Sequence, residues 1–445
     1  MKISPARVAA FEVLTKIERD RAFSSVLLPI AEERLEAKDR ALCHALTLGI
    51  LRKQLYLDRI IKKLTEGKKL DSAVKIILRI GLYQLIHLDK VPAHAAINDS
   101  VNLVRQAKKT SASGFVNAIL RRFTREKLEL NFIDEIERVA METSHPRWLI
   151  ERWIREFGLQ ETVKLASINN ETPISVFRLT RKSDENTIGT LRKLDLEISE
   201  SSIVEDAWKV TNSNEMLRLY AGEGKIYFQD EASQLVAQTV GLKEGESFLD
   251  VCAAPGSKAT FVARQARRKV KGKRQKLIVA GDFHDHRIKI LQANCRRQGA
   301  DFIEIVRYDA EVNLPFADES FDVVLVDAPC SGTGTIRHNP EIRYFLREDD
   351  FAELADKQLR IVQNASKLVS RGGRLIYSTC SLEREENEAV GDKFLSENQE
   401  FDKVAPKVSG RFATTEDFAR TLPQRDETDG FFIAVFEKKR VFGKV

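Results

Sequence analysis

Two cysteines stand where layered α/β proteins carry out chemistry. Cys330 lies in DAPCSGTG and Cys380 in YSTCSLEREENE, each just past an apolar, β-like run. One thiol at a strand end is most often a packed core residue, because free cysteine is among the most buried side chains. Two of them beside a ligand-binding edge point instead to reactive groups, and a thiolate is the side-chain nucleophile best suited to covalent addition. The remaining cysteines, Cys43, Cys252 and Cys295, are widely spaced and there is no C-x-x-C pair, so neither a disulfide framework nor a zinc site is expected.

The edge that must hold these thiols is predicted by a rhythm of strand, loop and helix from about residue 226 onward. Apolar runs occur at SFLDVCA, KLIVAGDF, FIEIVRYDA, FDVVLVDAP, RLIYSTC and FFIAVFEK, mostly separated by amphipathic stretches such as RIKILQANCRRQG. Near-continuous apolar strands with helical crossovers predict a parallel or mixed sheet covered on both faces, a Rossmann-like domain. Ligands of such sheets bind beyond the carboxyl ends of the strands, where this chain reads CAAPGSK, GDF, YDA, DAPC and STCS. The first has neither the dinucleotide nor the P-loop glycine spacing, although its Pro255-Gly256 turn lets the backbone approach a ligand closely. Asp282, 26 residues after Gly256, suits ribose hydroxyls, with capping of the next helix as the plainer alternative. Asp309 suits an adenine amino group. A nucleoside cofactor held without a phosphate cradle suggests S-adenosylmethionine.

A sulfonium methyl donor gives the thiols a task. Carbon 5 of cytosine is a poor nucleophile until a group adds covalently at carbon 6 and turns the ring into an enamine. Carbon 6 is reached only from the face of a base, so the target must be unstacked and turned into the pocket, which single-stranded or looped RNA makes less costly.

Upstream, residues 1–130 read as a helical bundle. Ala10, Val13, Leu14 and Ile17 recur at helical spacing, as do Ala73, Ile76, Ile77 and Ile80. This part carries 25 Lys and Arg against 14 Asp and Glu, a net +11 in a chain whose total is +6, which suggests a polyanionic partner. Residues 131–225 alternate helix-like and strand-like stretches, including ISVFRLT and TIGTLRKLDL, and are expected to form a small α+β linker subdomain. No apolar stretch is long enough for a membrane span and the start lacks a signal-peptide centre, so a cytoplasmic protein with no membrane partner is expected.

Two sets of motifs carry a family resemblance. The phrases ALTLGILRKQLYLDRII, ILRIGLYQLIHLDKVPAHAAINDSVNL and GFVNAILRRF resemble the NusB-like RNA-binding domain. FLDVCAAPGSKAT, FDVVLVDAPCSGTGTIRHNPEIRY, RLIYSTCSLEREENE and TLPQRDETDGFFIAVFEKK resemble the RsmB/Sun family of ribosomal RNA cytosine-5 methyltransferases. The likeness spans essentially the whole chain. It implies a multidomain architecture: an all-α NusB-like bundle over 1–130, the linker subdomain over 131–225, and the Rossmann-like S-adenosylmethionine-dependent domain over 226–445.

The resemblance also implies roles. Cys380 would attack carbon 6 of a cytosine, and Cys330 would assist release once carbon 5 loses its proton. Asp327 would lie between cofactor and base, holding or protonating the ring at nitrogen 3. Cys252, Ala253, Ala254, Pro255, Gly256, Ser257 and Lys258, with Asp282, Asp309 and Asp327, would bind S-adenosyl-L-methionine, the product being S-adenosyl-L-homocysteine. The substrate implied is 16S ribosomal RNA, naked or within a small-subunit assembly intermediate, acted on by a monomer.

The chain departs from the family at Ser257, where a second glycine is usual; a positive φ at that serine would weaken cofactor binding. The basic stretch RQARRKVKGKRQK, residues 264–276, would grip phosphates or form an ordinary solvated loop. His284 and His286 lack further ligands nearby and suit surface or capping roles. The acidic run at 383–388 reads as a helix start, favoured by the dipole, rather than as catalytic glutamates. Three alternatives remain: a DNA cytosine-5 methyltransferase using the Pro-Cys thiol, a transfer-RNA substrate, and an RNA-binding factor whose methyltransferase domain is inert.

Overall fold

Where apolar side chains recur at helical spacing in the first third of the chain, the computed structural model is helical. It describes residues 4–194, 196–212, 214–268 and 277–440. By their contacts the residues form two units, one of 1–172 with 336–348 and the other of 173–335 with 349–445.

The first unit is built from helices Pro5–Asp20, Ser24–Glu32, Ala37–Arg52, Gln54–Leu64, Ser72–His87, Ala93–Gln106, Ser113–Arg125, Glu135–Glu142 and Arg147–Ile168. Ala10, Val13, Leu14 and Ile17 pack with Ile76, Ile77 and Ile80 in one apolar core, as the spacing predicts. Asp71 caps the fifth helix by accepting from Ala73 N at 3.0 Å. The last is interrupted at Gly158, whose φ of 78° and ψ of 163° leave the helical region.

Ile336–Glu348, which directly follows the Cys330 loop in the sequence, folds with this helical unit. Glu341 accepts from Ser24 N at 2.6 Å and Ser24 Oγ at 3.0 Å. The buried Arg343 guanidinium donates to the carbonyls of Thr143 and Asn169 and to Asn170 Oδ1, at 3.0–3.1 Å. Composition could not reveal this excursion, since the segment is bounded on both sides by catalytic-sheet sequence.

The second unit holds two sheets. The smaller comprises β1 (Ser175–Leu179), β2 (Ile198–Glu200), β3 (Ala207–Val210) and β4 (Ile226–Phe228), antiparallel in the order β2-β3-β1-β4. Strands β1 to β3 and the helices Thr187–Arg192 and Glu215–Gly222 lie within the stretch 131–225 expected to be α+β, but its residues 131–172 fold with the helical unit and β4 begins just beyond it.

The larger sheet comprises β5 (Phe248–Asp250), β6 (Ile278–Asp282), β7 (Glu304–Arg307), β8 (Phe321–Asp327), β9 (Val369–Thr379), β10 (Phe401–Val404), β11 (Ala419–Arg420) and β12 (Phe432–Lys438). Its order is β10-β12-β9-β8-β5-β6-β7, with β11 against β12. The five strands from β9 to β7 are parallel and β10, β11 and β12 antiparallel, so the sheet is mixed. Alternation explains the unbroken apolar runs: Val323 and Leu325 of β8 join one core, Val324 and Val326 the core on the opposite face.

Candidate active site

Parallel pairing decides which loops meet. Asp250 at the end of β5 is in register with Ala280 of β6 and Leu325 of β8, and Asp327 of β8 with Ser378 of β9. The tips of β6, β5, β8 and β9 therefore form one edge, and four of the motif loops leave from it.

The turn after β5 is tightly held. Ala253 N donates to Gly281 O at 2.8 Å, and Ala254 N to Asp282 Oδ2 at 3.2 Å. Arg287 donates to Ala254 O and Asn294 to Pro255 O, both at 2.8 Å. Gly256 has φ +99°, and a Cβ there would lie 2.8 Å from Leu291 Cδ1, so glycine is required on two grounds. The positive φ falls on Gly256 and not on Ser257, which is the first residue of the helix Ser257–Arg268. The departure from Gly-Gly is thus accommodated without backbone strain. Cys252 is half-buried against one sheet face, and its thiol is pushed well above the usual range by burial and then by Asp250, Asp282 and Asp327.

Asp282 is buried and also accepts from Phe283 N at 2.9 Å, while Arg287 lies 3.3 Å from its carboxylate. The following helix takes His284 as its N-cap, so Asp282 does not occupy the capping position. Asp309 lies two residues past β7 and closes a turn on Glu311 N at 2.9 Å. Among the described residues that is its carboxylate's only hydrogen bond, and it joins none of the others.

Lys258 and Asp327 are brought together: Nζ donates to Oδ2 at 2.6 Å, and Ser378 Oγ donates to Oδ1 at 2.8 Å. Lys258 is also 5.1 Å from the centre of the Phe431 ring. Burial by itself would lower its pKa, but Asp327 and Asp250, with a contribution from Cys380, hold it above the ordinary lysine value. Asp250, which the sequence reading passed over inside FLDVCA, is 1% exposed and neither carboxylate oxygen has a hydrogen-bond partner. Burial, then Asp327, push its pKa up to about 8 against the opposing charge of Lys258.

Cys330 and Cys380 meet with their sulfurs 3.3 Å apart, both half-buried. The hydrogen bond with Cys380 raises the Cys330 pKa well above its usual value, and burial adds to this. Gly334 N donates to Cys380 O at 2.9 Å, and Gly430 N to Gly334 O at 2.8 Å. A Cβ on Gly334 would lie 2.1 Å from Gly430 O, so Gly334 of SGTG and Gly430 of TDGFF are needed for backbone approach.

Three features escaped the sequence reading. Arg178 of β1 is buried and donates to Ser257 O, Thr260 Oγ1 and Gln298 Oε1 at 2.8–3.0 Å, anchoring the helix Ser257–Arg268 to the smaller sheet. Burial lowers its pKa to about 9. Its only signal was an arginine inside the apolar run ISVFRLT. Glu386 lies in the acidic run assigned to a helix start; the helix begins at Glu388, and Glu386 is fully buried between the two cysteine loops. In the basic stretch, Arg264 is tied to Thr180 O and Asp206, both at 3.2 Å. Residues 269–276 lie outside the described residues.

The model of the family described as 16S rRNA methyltransferase RsmB/F matches residues 237–437, and that of the NusB family matches residues 4–125. The probable ribosomal RNA small subunit methyltransferase B of Bacillus subtilis is 33% identical over 99% of this chain and 100% of its own length. The corresponding Klebsiella pneumoniae protein is 31% identical over 99% of both chains. Among solved structures, PH0851 superposes with a TM-score of 0.85 at 28% identity, covering 98% of this chain and 100% of its own. NSun6 from Pyrococcus horikoshii, solved with SFG, gives a TM-score of 0.57 at 21% identity over 66% of this chain and 98% of its own, a likeness of fold.

Proposed function

Because the chain belongs to the RsmB/F family of ribosomal RNA small subunit methyltransferases, we propose that it methylates carbon 5 of a cytosine in 16S ribosomal RNA through a covalent adduct of Cys380. The observation that carries this reading is the pair of thiols 3.3 Å apart, beside the Lys258–Asp327 ion pair. No single-thiol chemistry calls for that arrangement.

The methyl donor is S-adenosylmethionine, which supplies an electrophilic sulfonium methyl when bound. The residues at the strand tips fit it. Asp250 offers a buried carboxyl with both oxygens bare, and Asp282 and Asp309 offer acceptors at the ends of adjacent strands. The 252–258 turn supplies the close backbone. Lys258 fixes Asp327 between that turn and β9, where its carboxyl group is assigned to nitrogen 3 of the base.

With its proton lost to solvent, the Cys380 sulfur would add to carbon 6 and move the ring electrons to carbon 5, which would take the sulfonium methyl and leave S-adenosyl-L-homocysteine. Transfer of the carbon 5 proton to water would return its bonding electrons to the ring, expelling the Cys380 sulfur as a thiolate and restoring the double bond. Cys330, whose sulfur lies 3.3 Å from that of Cys380, assists that release. The base must leave its stack to reach the thiols, so the substrate is an unpaired or opened cytosine, in free 16S RNA or in an assembly intermediate, bound by a monomer.

The test incubates wild type, Cys380→Ala and Cys330→Ala with labelled S-adenosylmethionine and unmodified 16S RNA, scoring methyl transfer and denaturant-resistant protein–RNA adducts. Cys380→Ala should be inactive without an adduct, and Cys330→Ala should accumulate one. An active Cys380→Ala would overturn the assignment.

A further inference from the structure

We propose that Glu386 is a positioning residue that holds the two thiol loops at their working separation, an inference resting on the two-thiol reading above. Ser331, next to Cys330, donates to the Glu386 carboxylate through its backbone N at 2.8 Å and through its hydroxyl. Ser381, next to Cys380, donates to it through Oγ. Gln358 Nε2 donates to the same carboxylate at 2.9 Å and also to Pro329 O, one residue before Cys330, at 3.0 Å. The hydroxyl of Tyr377, three residues before Cys380, donates to Glu386 O. One side chain thus collects donors from both cysteine loops and from the helix Asp350–Lys367.

Physical cost separates this arrangement from ordinary packing. Glu386 is 0% exposed, and among the described residues no Lys, Arg or His pairs with it. A buried carboxylate without a counter-ion is expensive and is sustained only by complete hydrogen bonding. An apolar side chain of similar volume would fill the site at lower cost, but it would not tie Ser331 to Ser381. Those two hydroxyls are themselves 3.1 Å apart, and the sulfurs of their neighbours are 3.3 Å apart, so the spacing of the serines sets that of the thiols. A displacement of about 1 Å at reacting groups costs on the order of 100-fold in rate.

The two readings predict different kinetics. Glu386→Ala should lower kcat for methyl transfer by about 100-fold, with KM for S-adenosylmethionine and for RNA changed by less than about threefold. Glu386→Gln should recover about tenfold of that loss, because its carbonyl oxygen can still accept from Ser331 N and Gln358 while its amide donates to the two hydroxyls. If Glu386→Ala does not fold, the Ser331→Ala/Ser381→Ala double variant removes the two hydroxyl links and should lower kcat by about tenfold at unchanged KM. A kcat within about threefold of wild type in the folded variant overturns the proposal, as does equal loss in the Ala and Gln variants. Wild type and Cys380→Ala run in parallel keep the two readings apart. With wild type active and Cys380→Ala inactive, an active Glu386→Ala removes only the positioning role, whereas an active Cys380→Ala removes both.

Discussion

Lys258 Nζ and Asp327 Oδ2 stand 2.6 Å apart although 69 residues separate them in the chain. The lysine is the second residue of the helix that follows the β5 turn and the aspartate ends β8, neighbouring parallel strands, so this ion pair joins the 252–258 segment to the loop carrying Cys330.

Removing one partner should cost more than removing both. Lys258 is 6% exposed, so Asp327→Ala leaves a nearly buried ammonium unpaired and should lower unfolding free energy by about 3 kcal/mol. The Lys258→Met/Asp327→Leu double variant should be the more stable of the two, while transferring no methyl groups. Urea unfolding followed by circular dichroism, with labelled methyl transfer on the same samples, measures both.

Neighbouring substitutions in the cofactor turn should behave oppositely. Gly256→Ala meets both the +99° φ and Leu291, and should destabilise by about 2 kcal/mol and weaken cofactor binding. Ser257→Gly, at a helical first position, should leave the dissociation constant for S-adenosylmethionine within about twofold of wild type. Isothermal titration calorimetry separates them.

Asp250 should impose a pH dependence on stability. In the unfolded chain it ionises near pH 4, and in the folded protein at about 8. Between those values the folded state binds more protons, so the contribution of neutral Asp250 is full below about pH 4 and is lost as the pH rises toward 8, at no more than about 1.4 kcal/mol per pH unit. Asp250→Asn should lose less stability than wild type between pH 5.5 and 7.5. Denaturation midpoints at the two pH values measure the slope.

Alkylation should distinguish the cysteines. Burial raises the Cys43 thiol to about 11 and the Cys295 thiol to about 12, and Cys330 and Cys252 are raised as well. Cys43 and Cys295 are also 0% and 2% exposed whereas Cys380 is half-buried at a strand-tip loop, so at pH 7.5 iodoacetamide should modify Cys380 before Cys43 and Cys295. Time-resolved peptide mass mapping gives the order, and modification of Cys43 or Cys295 ahead of Cys380 would contradict it.

Much of this was written in the chain because it depends on local pattern. Helical spacing of Ala10, Val13, Leu14 and Ile17 requires one buried face, and runs such as FDVVLV require a strand buried on both. Strand ends follow from those runs, which is why Asp282, Asp309, Asp327, Cys330 and Cys380 could be singled out before any fold was known. The glycines of the PGSK turn and the SGTG loop were visible, although only the Gly334–Gly430 contact gives a reason for the latter.

What required tertiary structure were the interactions whose meaning depends on burial. Glu386 and Glu388 look alike in LEREENE, yet one holds the two cysteine loops and the other pairs with Arg420. Asp250 resembles any strand-end carboxylate until its oxygens are seen to be bare, and Arg178 resembles a surface arginine until it reaches Ser257 and Thr260. Ile336–Glu348 reads as catalytic-domain sequence but folds with the helical unit. Sequence periodicity reports which side of an element faces the interior. Only packing decides which polar groups from distant segments must satisfy one another there, because an unpaired buried donor or charge costs free energy that no local pattern records.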